Sequence, residues 1–304
     1  MGPSMWTKDN KSYILFGTTL QMPPPSTGRP RVLLFDIGGV CVVSPFQAIL
    51  DYEKSKSIPP GWVNYSIAAT SPNGAWQKIE RGDILMNAAF FREFKSDLSD
   101  EKRWRIYYAK HLATTRKEKL SDAAEEAAFQ VPPVPDIDAE WLYWEMMRIA
   151  REPDPYMYPA LKKLRKAADE SDGKLIMAAL SNTSIFPPDH PFNESIYAGS
   201  RNKHLKEIFD VFISSAHVGM RKPDEPIYRY TITRIHEFVK TKYGGLGVKA
   251  EDFTFVDDIG ANLRTARRLG MNTIKVQLGR ADKAVEELEK LTGLSLKDDA
   301  KARL

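Results

Sequence analysis

Cysteine is almost missing: Cys41 is the only one in 304 residues. No intramolecular disulfide can form, and a reducing compartment is the expected setting. Cys41 sits in an apolar run, which marks a buried thiol and not a nucleophile. Long apolar runs are missing too, since none approaches the roughly 18–20 residues a membrane-spanning helix requires. The N-terminus lacks the charged-then-apolar order of a secretory signal. Neither sign of charge dominates, because 44 basic against 40 acidic residues give +4. The two signs are interleaved, so there is no basic stripe to follow a nucleic acid. The five histidines, His111, His190, His204, His217 and His236, show no metal-ligand spacing. No internal repeat or low-complexity segment is present. With 42% hydrophobic and 28% charged residues the chain reads as globular, soluble and cytoplasmic. One tag points elsewhere: Ala302-Arg303-Leu304 has the small-basic-leucine form of the peroxisomal address Ser-Lys-Leu.

What is present is a series of short apolar runs alternating with helical patterns. The runs are VLLFD at 32–36, LIMAALSN at 175–182, VFISS at 211–215, FTFVDD at 253–258 and TIKVQ at 273–277. Continuous apolar strands separated by helices predict a parallel sheet covered on both faces. Apolar spacing near 3.6 predicts helices over 158–169, 225–242, 261–269 and 282–291. Gly270 reads as a helix stop. A short strand is expected at 12–16, in a polar, proline-bearing lead-in.

The interval between the first two strands is the exception. A βαβ crossover needs a dozen or so residues, and residues 47–155 are far more. They hold helical patterns at 84–97, 100–112 and 138–151, no convincing strand, and most of the tryptophans. The expected organisation is an N-terminal extension over 1–30, a core made of 31–46 and 156–296, an inserted all-helical cap over 47–155, and a tail over 297–304. Aromatic residues exposed on the cap would permit a homodimer.

Ligands of a parallel α/β sheet bind outside the carboxyl ends of its strands, so the residues that end each run matter. The first run ends in Asp36, the second in Ser181-Asn182 and the fourth in Asp257-Asp258; the loop after the third carries Lys222. Any one of these would pass as a helix cap or a solvated lysine. Four successive strands delivering them to one edge make a chemical set. A carboxylate nucleophile, Asp36, can attack a phosphoryl group and form an acyl phosphate that water later cleaves. Mg²⁺ and Lys222 would offset the negative charge. Asp36, the carbonyl of Gly38 and Asp258 can supply the oxygen ligands Mg²⁺ prefers, with Asp257 beside them. Asp257 and Asn262 would orient Lys222 or water, and the Ser181 hydroxyl would hold phosphoryl oxygens. Gly38 and Gly39 let the backbone approach an anion.

These segments resemble the haloacid-dehalogenase-like hydrolase superfamily. Its four motifs correspond to FDIGGV at 35–40, LSNTS at 180–184, GMRKPDEPIY at 219–228 and FVDDIGANLRTARRLGM at 255–271. The chain looks most like the N-terminal phosphatase domain of soluble epoxide hydrolases and the corresponding domain of acyl-CoA dehydrogenase family member 10. The likeness takes in GAWQKIERGDI at 74–84 and the tail at 274–296. The resemblance implies a Rossmann-like three-layer α/β core, a helical cap inserted after the first motif, Asp36 as nucleophile and Mg²⁺ dependence. In the cap, Trp76, Glu80 and Arg81 are candidates to touch substrate. His217, five residues before Lys222, is a candidate substitute proton carrier. The loop over 184–205 is long enough to cover a site.

Gly38 departs from the pattern. Phosphatases of this superfamily carry an aspartate there, which protonates the leaving group and later activates water, work worth about 10²–10⁴ in rate. Three readings follow. The first is a phosphatase of a small phosphorylated metabolite that uses a substitute acid/base or a good leaving group. The second is a metal-independent 2-haloacid dehalogenase, in which halide leaves without a proton. The third is a phosphate- and metal-binding module without turnover.

Overall fold

A computed structural model of the protein describes residues 30–115, 131–193 and 205–297. The strand expected at 12–16, His204 and the terminal tripeptide Ala302-Arg303-Leu304 lie outside them.

Five strands form one parallel sheet in the order β3-β2-β1-β4-β5. They are β1 (Val32–Phe35), β2 (Ile176–Ser181), β3 (Val211–Ser214), β4 (Phe253–Asp257) and β5 (Asn272–Lys275). Every residue of β1, β2 and β4 is buried, as continuous apolar runs require when both faces are covered. Successive side chains point to opposite faces, and the packing divides accordingly. Leu33, Phe35, Met177 and Ala179 pack with α7 (Met157–Asp169) and α11 (Ala281–Thr292). Val32, Leu34, Ile176 and Phe255 pack with α9 (Glu225–Tyr243) and α10 (Gly260–Arg268). The result is the expected helix–sheet–helix sandwich.

Between β1 and β2 the chain forms α1 (Phe46–Ser55), α2 (Trp62–Ala69), α3 (Ala75–Arg81), α4 (Ala88–Leu98), α5 (Glu101–Thr115) and α6 (Ala139–Ile149). The three helical patterns read from the sequence became α4, α5 and α6. The first three helices were not read. Each spans ten residues or fewer, too short for a clear period. α1 and α2 are instead joined by a buried carboxylate: Glu53, fully buried, accepts the Gly61 N–H at 2.6 Å and the Val63 N–H at 2.8 Å. Those are the first amide groups of α2, which a helix leaves without internal partners.

These helices share their own apolar cluster around Trp62, Phe90, Phe94, Leu142 and Tyr143. Trp62 meets Trp104 edge-on at 5.0 Å. Each such side chain contributes roughly 1.5–3 kcal/mol when withdrawn from water, so the segment carries a core separate from the two that flank the sheet. Its two stems lie side by side: Val43 N–H donates to the Glu152 carbonyl at 2.8 Å, and Asp154 N–H to that of Cys41 at 3.1 Å. α3 ends on Gly82, at φ +71°, where a Cβ would collide with the Ala216 carbonyl of α8 (Ser215–Val218). Glycine is required there by both conformation and contact.

Candidate active site

Asp36 follows the last residue of β1, and its N–H donates to the Val256 carbonyl at 2.9 Å. Phe35 is in register with Val256, so Asp36 and Asp257 stand level at the carboxyl edge. Asp258 is next in the chain, and the carboxylates of Asp36, Asp257 and Asp258 offer oxygens within 4.8 Å of one another. Such a concentration of like charge needs an internal cation, and Lys222 supplies one. Its ammonium lies 2.8 Å from Asp36 Oδ1 and 2.8 Å from Asp257 Oδ2. Lys222 is itself 1% exposed.

The three carboxylates are used differently. Asp257 is saturated: besides Lys222 it accepts the Ile259 N–H at 2.7 Å and the Asn262 amide at 3.1 and 3.0 Å. It thereby ties Lys222 to the start of α10. Asp36 accepts the Ile37 N–H at 2.7 Å on the oxygen that meets Lys222. Asp258 Oδ1 is buried and without a partner among the described residues. Orphaned buried acceptors are rare in proteins and call for an ion or water. This donor set, all oxygen, with carboxylates from two adjacent strands, fits a hard divalent cation.

Burial pushes the Asp36 carboxyl well above its ordinary value; Lys222 opposes this, and Asp257 and Asp258 add to it. Asp258 is pushed up to about 6, mainly by burial and then by the charge of Asp257. Burial alone would lower Lys222, but Asp257 and Asp36 outweigh it and hold the ammonium above its ordinary range. Without a cation the site therefore carries more negative charge than it can comfortably hold, while Lys222 stays protonated.

The glycines after Asp36 differ from one another. Gly39 has φ +76°, and a Cβ there would lie 2.5 Å from Asp258 Oδ2. Its absence is what lets the backbone meet the acidic cluster. Gly38 has no such strain, and a Cβ would meet only Pro45, at 3.4 and 3.7 Å.

Ser181 closes β2 and is buried, with its hydroxyl only 3.3 Å from the Asn182 carbonyl. Asn182 grips Lys222 by the backbone: its Oδ1 accepts the Lys222 N–H at 2.8 Å and its Nδ2 donates to the Lys222 carbonyl at 3.0 Å. The structure thus brings Asp36, Asn182, Lys222, Asp257, Asp258 and Asn262 together. The remaining candidates stand differently. Trp76 packs on Phe94 and Tyr143 and donates its indole N–H to Glu80 at 2.9 Å. Arg81 is engaged by Asp83 at 2.7 Å and by the Pro72 carbonyl. His217 is exposed, and its Nδ1 lies 2.7 Å from Ser214 Oγ, which in turn lies 2.6 Å from Thr183 Oγ1. Among the described residues no hydrogen bond or ion pair links Arg81 or His217 directly to Asp36. The described part of the loop after β2, residues 184–193, is stacked against the insert, His190 on Trp144 at 4.4 Å, and the rest of that loop up to 204 lies outside the described residues.

Sequence reasoning missed Arg221, which joins Glu80 across 141 positions. No local spacing could announce that pair.

No family model matches the chain. It is 25% identical over 273 residues to acyl-CoA dehydrogenase family member 10 of Mus musculus, covering 89% of this chain and 20% of that protein. It is 36% identical over 107 residues to bifunctional epoxide hydrolase 2 of Sus scrofa, covering 34% of this chain and 17% of that one. The chain therefore spans a fifth or less of the length of these curated relatives. A solved structure of a predicted HAD-like family hydrolase from Porphyromonas gingivalis aligns with a TM-score of 0.47 and 20% identity, over 86% of this chain and 98% of that one. Dehalogenases stand among the other similar structures. In its four motifs and in its curated relatives alike, the chain is similar to the haloacid-dehalogenase-like hydrolases.

Proposed function

We propose that the chain is a Mg²⁺-dependent phosphatase of a small phosphate ester, acting through a phospho-Asp36 intermediate. The observation that carries this reading is the pairing of a buried ammonium, held between Asp36 and Asp257, with a partnerless buried oxygen on Asp258. Asp36, Asp258 and the Gly38 carbonyl would hold the cation. When bound, it would neutralise charge on the transferring phosphoryl group.

The chain's own residues do the rest. Asp36 attacks phosphorus in line with the departing oxygen, forming a carboxyl–phosphoryl bond as the ester P–O bond breaks. Lys222 stays protonated and faces the developing charge on Asp36. Ser181 and the backbone N–H groups after β2 bind phosphoryl oxygens. Asp257 and Asn262 keep Lys222 aimed. The inserted helices form the cap that excludes water and chooses the substrate.

Gly38 brings no proton, so esters and acyl phosphates with good leaving groups are the expected substrates. The test is phosphate release from acetyl phosphate and p-nitrophenyl phosphate with Mg²⁺. Release should stop with EDTA and in Asp36→Asn; metal-independent release, or release that survives Asp36→Asn, refutes the reading. A second reading, a phosphate- and metal-binding module without turnover, is favoured by Gly38 itself. It predicts Mg²⁺-dependent binding of inorganic phosphate with no release from any ester.

A further inference from the structure

Glu80 is nine-tenths buried at the end of α3 and is surrounded by donors. Arg221 reaches its Oε2 with Nε at 2.7 Å and with Nη2 at 2.6 Å. Asn182 Nδ2 reaches the same oxygen at 3.3 Å, and Trp76 Nε1 meets Oε1 at 2.9 Å. The Glu80 carbonyl accepts the hydroxyl of the fully buried Ser215 at 2.6 Å, and Ser215 Oγ in turn accepts the Thr183 N–H at 2.8 Å.

An isolated buried carboxylate is costly, and one with this many donors is held in a single place. Its partners are not scattered. Arg221 immediately precedes Lys222 in the chain, and Asn182 grips the Lys222 backbone at both N–H and carbonyl. Two residues that hold the Lys222 loop, Arg221 and Asn182, thus converge on one carboxylate contributed by the inserted segment.

We infer that Glu80 is a positioning residue for Lys222, so that the insert completes the active-site lysine's seat and not only the roof above it. The kinetic half of this inference rests on the phosphatase reading; the anchoring half does not. Docking of α3 fixes Arg221 and Asn182, which fix the backbone at Lys222. The side chain then spans Asp36 and Asp257. Glutamine at position 80 would present one acceptor oxygen where donors arrive from three side chains.

The test uses the full chain and two readouts. In Glu80→Gln, hydrogen–deuterium exchange at the backbone N–H of Lys222 should speed up about tenfold or more, with β1, β2 and β4 unchanged. With acetyl phosphate and Mg²⁺, kcat should fall at least about tenfold while KM stays within about threefold, the signature of a misplaced catalytic group and not of lost substrate binding. Arg221→Gln, which leaves Glu80 its contacts to Asn182 and Trp76, should move both readouts the same way by a smaller factor. It carries the test if Glu80→Gln fails to fold. Unchanged exchange at Lys222 in the folded variants overturns the inference whatever the activity. Faster exchange with kcat at the parent level overturns the catalytic role. Faster exchange in a chain whose parent releases no phosphate leaves the anchoring intact and removes the phosphatase reading instead.

Discussion

A carboxylate returned to position 38 should speed the second half of the reaction. A Cβ at Gly38 meets only Pro45, at 3.4 and 3.7 Å, and the backbone there is not left-handed. The backbone at Gly38 therefore accepts a Cβ without moving the loop. General acid–base transfer is worth about 10²–10⁴ in rate, or about 2.7–5.4 kcal/mol. The new charge joins three carboxylates already within 4.8 Å of one another. At about 5 Å and an effective dielectric near 20, each like-charge pair costs about 3 kcal/mol. Lys222 and a bound divalent cation offset most of that, so the gain should fall at the lower end, about 10²-fold in hydrolysis of phospho-Asp36. Rapid-quench kinetics with radiolabelled acetyl phosphate and Mg²⁺ read this directly. The parent chain should show a burst of labelled protein followed by slow release. In Gly38→Asp the burst should shrink, and poor leaving groups such as alkyl phosphates should become substrates. Turnover by the parent without a burst, or an unchanged dephosphorylation rate in the variant, refutes the reasoning, because another group would then already supply the proton.

Three further outcomes are expected. Asp258 titrates near 6 when folded against 3.8 as an ordinary group, so the metal-free fold binds its proton more tightly than the unfolded chain does. That contribution to stability is full below about pH 4 and is lost as pH rises through about 6, on the order of 3 kcal/mol in all. Thermal scans in EDTA should show Asp258→Asn flattening this loss while abolishing stabilisation by Mg²⁺ at pH 8. Gly39→Ala would press a methyl group against Asp258 at φ +76°; calorimetry should find Mg²⁺ affinity reduced at least about tenfold, consistent with the cost of displacing a ligand by about 1.4 kcal/mol or more. Glu53→Ala deletes the acceptor for the buried Val63 N–H and the half-buried Gly61 N–H, and urea unfolding should show a loss of about 2–4 kcal/mol, since bonds to a charged acceptor are worth about 1.5–3 kcal/mol each and do not add fully.

The sheet was legible because its three central strands are buried on both faces. β1, β2 and β4 carry no polar residue before the position that ends them, apart from Thr254, so each run announces a strand and its last residues announce the site. Asp36, Ser181 and Asp257 were found that way. The helical insert was legible only where a helix is long enough to show a period, as in α4, α5 and α6. α2 instead depends on Glu53, ten residues away from Val63 in the chain. Within the site, the sequence could place Asp257 and Asp258 side by side but could not distinguish them. The difference arises from direction: one carboxylate turns in to Lys222 and Asn262, and the other leaves an oxygen bare. Trp76 and Arg81 show the same limit. Both lie in a motif-bearing stretch, yet one is packed among aromatics and the other is tied to Asp83.

The balance of charge also bears on which hydrolase chemistry the site can run. Three carboxylates and one ammonium leave two negative charges when all are ionised. Burial raises both Asp36 and Asp258, and the neighbouring carboxylates add to it. A metal-independent dehalogenase would have to bring a 2-haloacid carboxylate to that site, adding a third uncompensated charge where each close pair costs about 3 kcal/mol. A divalent cation held by Asp36 and Asp258 would offset the excess and leave Asp36 and an anionic phosphoryl group less opposed by like charge. The same carboxylates that would make metal-free dehalogenation costly would, under the proposed function, suit metal-dependent phosphoryl transfer. Halide release from 2-chloropropionate in EDTA should therefore be undetectable under conditions where acetyl phosphate is consumed with Mg²⁺, and its detection would reverse the order of the two chemistries.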